Sequence, residues 1–171
     1  MTEPTKPSVD TAALPPQELA SLAVLAKTQA KKVIAKIPLL GPVTWLMMQQ
    51  AATRHTLISE LEWRVLPALL LEQAKLYLKD DAPVAFVSWA RLSPAVAQRY
   101  QNAPHQLVMS DWSSGEQIWL VDVLTPFGGA QEVLKDVREK LFPGRVVNQL
   151  VPMPNAQARV IAWPAVPAAA P

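Results

Sequence analysis

The chain has 171 residues and no cysteine, which excludes disulfides, thiolate catalysis and cysteine-ligated zinc. Histidine is nearly as scarce: there are 2, His55 and His105, so any imidazole chemistry falls on one of them. Neither sign of charge dominates. With Lys+Arg 16 against Asp+Glu 14 the net charge is +2, too little by itself to argue for nucleic acid. No apolar run reaches the roughly 20 residues of a membrane-spanning helix, because Lys27, Lys31, Lys32 and Lys36 break up the one long candidate. The opening residues, with Glu3 and the prolines Pro4, Pro7, Pro15 and Pro16, do not read as a secretory signal, so a cytoplasmic address is expected.

What is present suffices for one domain with a real core, since half the residues are apolar. The stretch from Gln117 to Gly129 organises the rest. Residues 118–124 are apolar except for Asp122, and such a run closed by Pro126, Gly128 and Gly129 predicts a strand buried on both faces. A carboxylate there is costly unless paired or hydrogen-bonded. It either caps a neighbouring loop or helix, or it is functional. Free N–H groups where Phe127-Gly128-Gly129 opens the next helix could hold phosphate near it.

Along the chain, residues 1–16 are expected to be disordered. An amphipathic helix follows from Gln17 to Ile37, with Leu19, Leu22, Ala26, Ala30, Val33, Ile34 and Ile37 on one face and the four lysines on the other. It should end near Pro38. A second helix is expected over 39–50, leading to the segment that holds Arg54 and His55. A third runs from Leu57 to Ala74, interrupted near Pro67. Lys75–Lys79 and Val84–Arg91 form a hairpin with its turn at Asp80-Asp81-Ala82-Pro83. Ser93 caps a helix that reaches Tyr100, and His105 follows in an exposed loop. After the turn Asp111–Gly115 come the central strand, a helix from Ala130 to Leu141, and strands over 145–151 and 159–163. Residues 164–171 form a loose Ala/Pro tail.

That order predicts an α/β (α+β) fold: a central mixed or antiparallel sheet flanked by helices, occupying 39–163. It resembles the acyl-CoA N-acyltransferase (GNAT) plan, in which the donor's pantetheine arm lies along the central strand. The usual phosphate-loop pattern of that superfamily is missing, so element order alone leaves the donor open.

Several stretches carry a narrower resemblance: Leu40-Gly41-Pro42-Val43-Thr44-Trp45-Leu46, Arg54-His55, Val65-Leu66-Pro67-Ala68, the run from Asp81 to Ala90, Asp111-Trp112-Ser113-Ser114-Gly115, and Trp119-Leu120-Val121-Asp122 with Pro126-Phe127-Gly128. In this order they resemble the RTX toxin-activating lysine acyltransferases of the haemolysin-activating type. The resemblance implies transfer of a fatty acyl group from acyl-carrier protein, carried on its phosphopantetheine, to an internal lysine of an RTX protoxin. It implies no tightly bound cofactor and no metal. The family's catalytic His and Asp match His55 and Asp122. The chemistry agrees, because a lysine ammonium must lose a proton before its nitrogen attacks a thioester, and histidine titrates where it can accept that proton. A carboxylate can orient the imidazole and stabilise its charged form. Ser113, Ser114 and the backbone N–H groups from Phe127 to Gly129 are the candidate oxyanion or phosphate contacts. Expected partners are acyl-carrier protein, the protoxin and a second copy of the chain as a homodimer, with no nucleic acid. The competing reading is a non-catalytic adaptor that binds a carrier protein or client.

Overall fold

The computed structural model describes residues 15–153 and 158–167. The segment 1–14 and the end of the tail, for which loose chain is expected, lie outside the described residues. Contacts divide the chain into two units, Met1–Ala35 and Lys36–Pro171, and the sheet with its core belongs to the second.

The first helix differs from expectation. One continuous helix, α1 (Pro16–Gln49), takes in both Pro38 and Pro42 where two helices with a break at Pro38 were predicted. Each proline removes one hydrogen bond, leaving the carbonyls of Ile34 and Pro38 without that donor, and both residues are exposed, so water can replace it. Gly41, ahead of Pro42, lacks the Cβ that would crowd the proline ring.

The predicted third helix also divides. A 3₁₀ turn, Ile58–Glu60, leads into α2 (Leu61–Arg64), and α3 (Leu66–Leu70) starts anew with Pro67 in its first turn. The hairpin follows as β1 (Ala74–Lys79) and β2 (Ala82–Leu92). Its turn is tighter than expected because Asp80 and Asp81 both take positive φ, 48° and 64°, as two-residue hairpin turns require. Ala82 therefore already pairs with Lys79. Next, α4 (Pro94–Tyr100) has Ser93 accepting the Val96 N–H at 3.3 Å as its cap.

The central strand is β3 (Gln117–Leu124), followed by α5 (Ala130–Asp136) and a π-helical turn, Val137–Leu141. Strands β4 (Val147–Pro152) and β5 (Ala158–Trp163) complete the set. Together the five strands form one mixed sheet in the order β1-β2-β3-β4-β5, antiparallel except for the parallel pair β3–β4. At the start of the tail the Val166 carbonyl accepts the Gly144 N–H at 2.8 Å.

Strand alternation sorts the core into two faces. Phe86, Ala90 and Leu92 of β2 face the end of α1, α3 and α4, meeting Val43, Leu46, Leu69, Ala97 and Tyr100. Ala85 and Val87 face the other way with Ile118, Leu120 and Val147, under Val133 and Val137. Both faces of β3 are thus covered, as its unbroken apolar run requires. Each large buried side chain, such as Phe86 or Leu46, contributes about 1.5–3 kcal/mol.

Candidate active site

Asp122 reaches its position through a bulge. Ser88 of β2 pairs with Asp122 while the next residue, Trp89, pairs with Leu120, so Val121 is an extra residue in β3. Regular alternation would send Val121 and Asp122 to opposite faces. Leu120 and Val123 both join the α5 side, leaving Val121 and Asp122 on the α2 side, where Val121 packs beside Tyr100 and Trp119. Such an extra residue re-aims a side chain.

The carboxylate it re-aims is buried, 4% exposed, and it is paired. Arg64 Nε donates to Asp122 Oδ1 and Oδ2 at 3.0 and 2.9 Å, and Nη2 to Oδ1 at 2.6 Å. The Asp122 backbone N–H donates to the Ser88 hydroxyl at 3.2 Å. Burial works against the Arg64 charge, but the hydrogen bond to Asp122 and its charge outweigh it, so the guanidinium pKa is raised. The capping alternative for Asp122 gives way to a buried ion pair. Arg64 was not singled out from the sequence, although a hint exists: in the apolar run 61–71 it is the single cation, and a buried carboxylate needs one.

His55 lies exposed in the turn that follows α1. Among the described residues no hydrogen bond or ion pair joins it to Asp122, whose oxygens Arg64 holds. The turn is nonetheless fixed to the same end of β3. Gln50 Oε1 accepts the N–H of Thr125, the residue just past the end of β3, at 2.9 Å, and Thr53 Oγ1 donates to the Met47 carbonyl at 2.8 Å.

The remaining candidates do not converge. Ser113 shares a 2.8 Å hydrogen bond with the Gln73 side chain, and the Ser114 hydroxyl accepts the Ser93 N–H at 3.0 Å. Both belong to the Gln117 end of β3. Phe127, Gly128 and Gly129 follow its other end, and a strand of 8 residues spans about 25 Å at ~3.3 Å per residue. Gly128 and Gly129 take φ 91° and 81°, which accounts for glycine at both. The Gly128 N–H already donates to the Thr125 carbonyl at 3.0 Å. Phe127 packs on Trp45 with ring centroids 5.5 Å apart.

A cavity of about 270 Å³ adjoins the ion pair, lined by Trp63, Arg64, Tyr100, His105, Val121 and Leu150 among others. Its origin lies in the sheet. The β3–β4 ladder runs from Ile118↔Val147 only to Leu120↔Gln149, while β3 stays paired with β2 as far as Leu124. Past Leu120 the two parallel strands have no further pairing, and Val121 and Leu150 line the space. The volume lies near the low end of the roughly 300–1,000 Å³ range for small-molecule sites, so it suits the reacting end of a ligand. Burial and then the Asp122 charge push the Tyr100 hydroxyl up to about 12, with Arg64 pulling the other way. His105 is half-buried here, not in an exposed loop, and its Nδ1 lies 2.9 Å from the Tyr100 carbonyl oxygen.

Comparison with known proteins bears on this arrangement. Residues 32–164 match the RTX toxin acyltransferase family. The chain is similar to a protein-lysine myristoyltransferase of Escherichia coli, 38% identical over 114 residues, 67% of this chain and 66% of that one. It is similar to an RTX-III toxin-activating lysine-acyltransferase of Actinobacillus pleuropneumoniae, 33% identical over 123 residues, 71% and 70% of the two chains. A leukotoxin-activating lysine-acyltransferase of Mannheimia haemolytica is 32% identical over 120 residues, 70% and 71%. The aligned part thus spans about two thirds of these relatives' lengths. No helix of the described residues is long and apolar enough to cross a membrane. The match covers the bulged strand, the Arg64–Asp122 pair and the His55 turn alike, and the chain belongs to the RTX toxin acyltransferase family, that of the toxin-activating lysine acyltransferases.

Proposed function

We propose that the protein transfers a fatty acyl group from acyl-carrier protein to an internal lysine of an RTX protoxin in the cytoplasm. The observation that carries this reading is a buried, ion-paired Asp122 beside a cavity between parting strands, in a chain of this family. In the manner of GNAT enzymes, the donor's pantetheine arm runs along β3, with its thioester near the point where β3 and β4 part.

His55 takes a proton from the client lysine ammonium. The neutral amine attacks the thioester carbonyl carbon and its nitrogen sheds its second proton to solvent; the tetrahedral intermediate collapses, the C–S bond breaks, and the imidazolium returns the first proton to the leaving thiolate. The products are the lysine amide and free carrier thiol. Asp122 assists from the strand: its charge is balanced by Arg64, and it holds that guanidinium at the cavity edge. An active-site donor to the oxyanion is wanted too, and Arg64, whose Nε and Nη2 hold Asp122 while the side chain lines the cavity, suits that better than Ser113 or Ser114 at the Gln117 end of β3.

The test is mass spectrometry of an RTX client incubated with the protein and acylated carrier protein or, separately, acyl-CoA. Acyl mass on a client lysine with the carrier-protein donor supports the reading. Transfer from acyl-CoA alone replaces the donor, and no mass gain with either refutes it.

A further inference from the structure

Residues 17–35 of α1 have no role in the site above, and their surface is unusual. Every described side chain from Ala20 to Lys32 is exposed, including Leu22 at 50%, Val24 at 65% and Leu25 at 60%, as is Ile34 at 65%. At 100° per residue, Leu22, Ala26, Ala30, Val33 and Ile34 fall in one stripe about 120° wide. Lys27 and Lys31 border that stripe next to Ile34, and Lys32 lies on the opposite side of the helix. Glu18 is the one acid in this segment, and the next acidic residue is Glu60. Lys36 is set apart from this group because it pairs with Glu72 at 3.2 Å.

An apolar stripe bordered on one side by Lys27 and Lys31, with Val24 and Leu25 exposed outside it, on a helix too short of apolar residues to span a bilayer, fits a helix lying in a membrane interface. Its apolar side chains enter the acyl boundary while the lysine stems reach up to anionic headgroups. A second copy is a poorer occupant, because Lys27, Lys31 and Lys32 of the two helices are brought near one another with one acid per helix, Glu18, to oppose them. We propose that residues 17–35 dock the protein on a membrane surface that carries anionic phospholipid. This stands independently of the acyl-transfer reading.

The experiment is co-sedimentation of the full chain with vesicles of phosphatidylcholine alone or mixed with phosphatidylglycerol, at low and high salt. The variants are Lys27→Glu/Lys31→Glu/Lys32→Glu, which reverses the charge, and Leu22→Asp/Ile34→Asp, which spoils the stripe. Circular dichroism and melting of each variant check that the fold is retained. The expected result is binding to the phosphatidylglycerol vesicles only, weakened by salt and at least about tenfold by either variant. Equal binding to both vesicle types, or wild-type binding by the charge-reversed variant, overturns the proposal. So does an absence of vesicle binding; capture of acyl-carrier protein, or a concentration-dependent mass increase, that the variants abolish then names the occupant as the carrier protein or a second copy.

Discussion

Arg64 grips Asp122 through two nitrogens, Nε within 3.0 Å of both oxygens and Nη2 within 2.6 Å of one, across 58 residues of sequence. The side chains are 24% and 3% exposed, so neither partner is well placed to find water instead. Truncating one leaves a buried charge uncompensated, whereas an apolar pair of similar volume leaves none. Arg64→Ala should therefore cost about 3–5 kcal/mol in urea unfolding, and Arg64→Met/Asp122→Leu much less than the two single changes added. Strict additivity of those costs would show that the pair is not coupled.

Alkaline titration gives a second check, because Tyr77 and Tyr100 are the 2 tyrosines and both are raised. Burial, then the hydrogen bond to Asp136, raises Tyr77. Burial, then the Asp122 charge, takes Tyr100 up to about 12. A phenol raised in the fold stays protonated where the unfolded chain ionises. Its contribution to stability is therefore complete below about pH 10 and is lost as pH rises toward the folded value. Tyrosinate absorbance should stay near zero in the native protein through pH 10 and appear earlier for Tyr100 in Asp122→Asn. Free titration of both groups near pH 10 in the folded state would contradict their placement.

Gly115 offers a test of how the Gln117 end of β3 is fixed. A Cβ there would lie 2.5 Å from the Ser93 backbone N and Cα and 2.6 Å from the Leu92 carbonyl oxygen. Backbone cannot swing aside as a side chain can. Gly115→Ala should destabilise by about 2 kcal/mol or more, read as a lowered Tm. An unchanged Tm would mean that this close approach does not exist in solution.

His105 lines the cavity but lies outside the proton path assigned to His55. His105→Ala should keep kcat within a few-fold of wild type while KM or acyl-length preference shifts as the cavity widens. A collapse of kcat with unchanged KM would move the base assignment from His55 to His105.

Much of the frame was legible in the sequence because local chemistry dictates it. Ser93-Pro94 supplies a cap and a first-turn proline for a helix, and turn residues from Asp80 to Pro83 between alternating apolar residues make a hairpin. A continuous apolar run around Asp122 demands burial on both faces and hence a partner for the carboxylate. The identity of that partner was not legible, since Arg64 is brought to Asp122 by the packing of α2 against a bulged strand. The bulge itself leaves no residue signature at Val121. Likewise nothing local reveals that β3 and β4 stop pairing after Leu120, so the cavity, and the place of Tyr100 and His105 on its wall, emerged only from the fold. In α1 the prolines that locally favour a stop are overridden, because the exposed carbonyls of Ile34 and Pro38 let the helix continue.

The central claim is acyl transfer to lysine with His55 as the base, and one rate comparison tests it most directly. Acylated carrier protein and an RTX client are incubated with wild type or with His55→Ala, whose melting and circular dichroism confirm the fold, and the client's lysine adduct is followed by mass spectrometry. His55 is exposed, so its removal should leave stability nearly unchanged. The expected result is a steady mass gain with wild type and a rate lower by about 10²–10⁴-fold with the variant, at similar donor and client affinity. A folded His55→Ala protein that acylates at close to the wild-type rate would contradict the account.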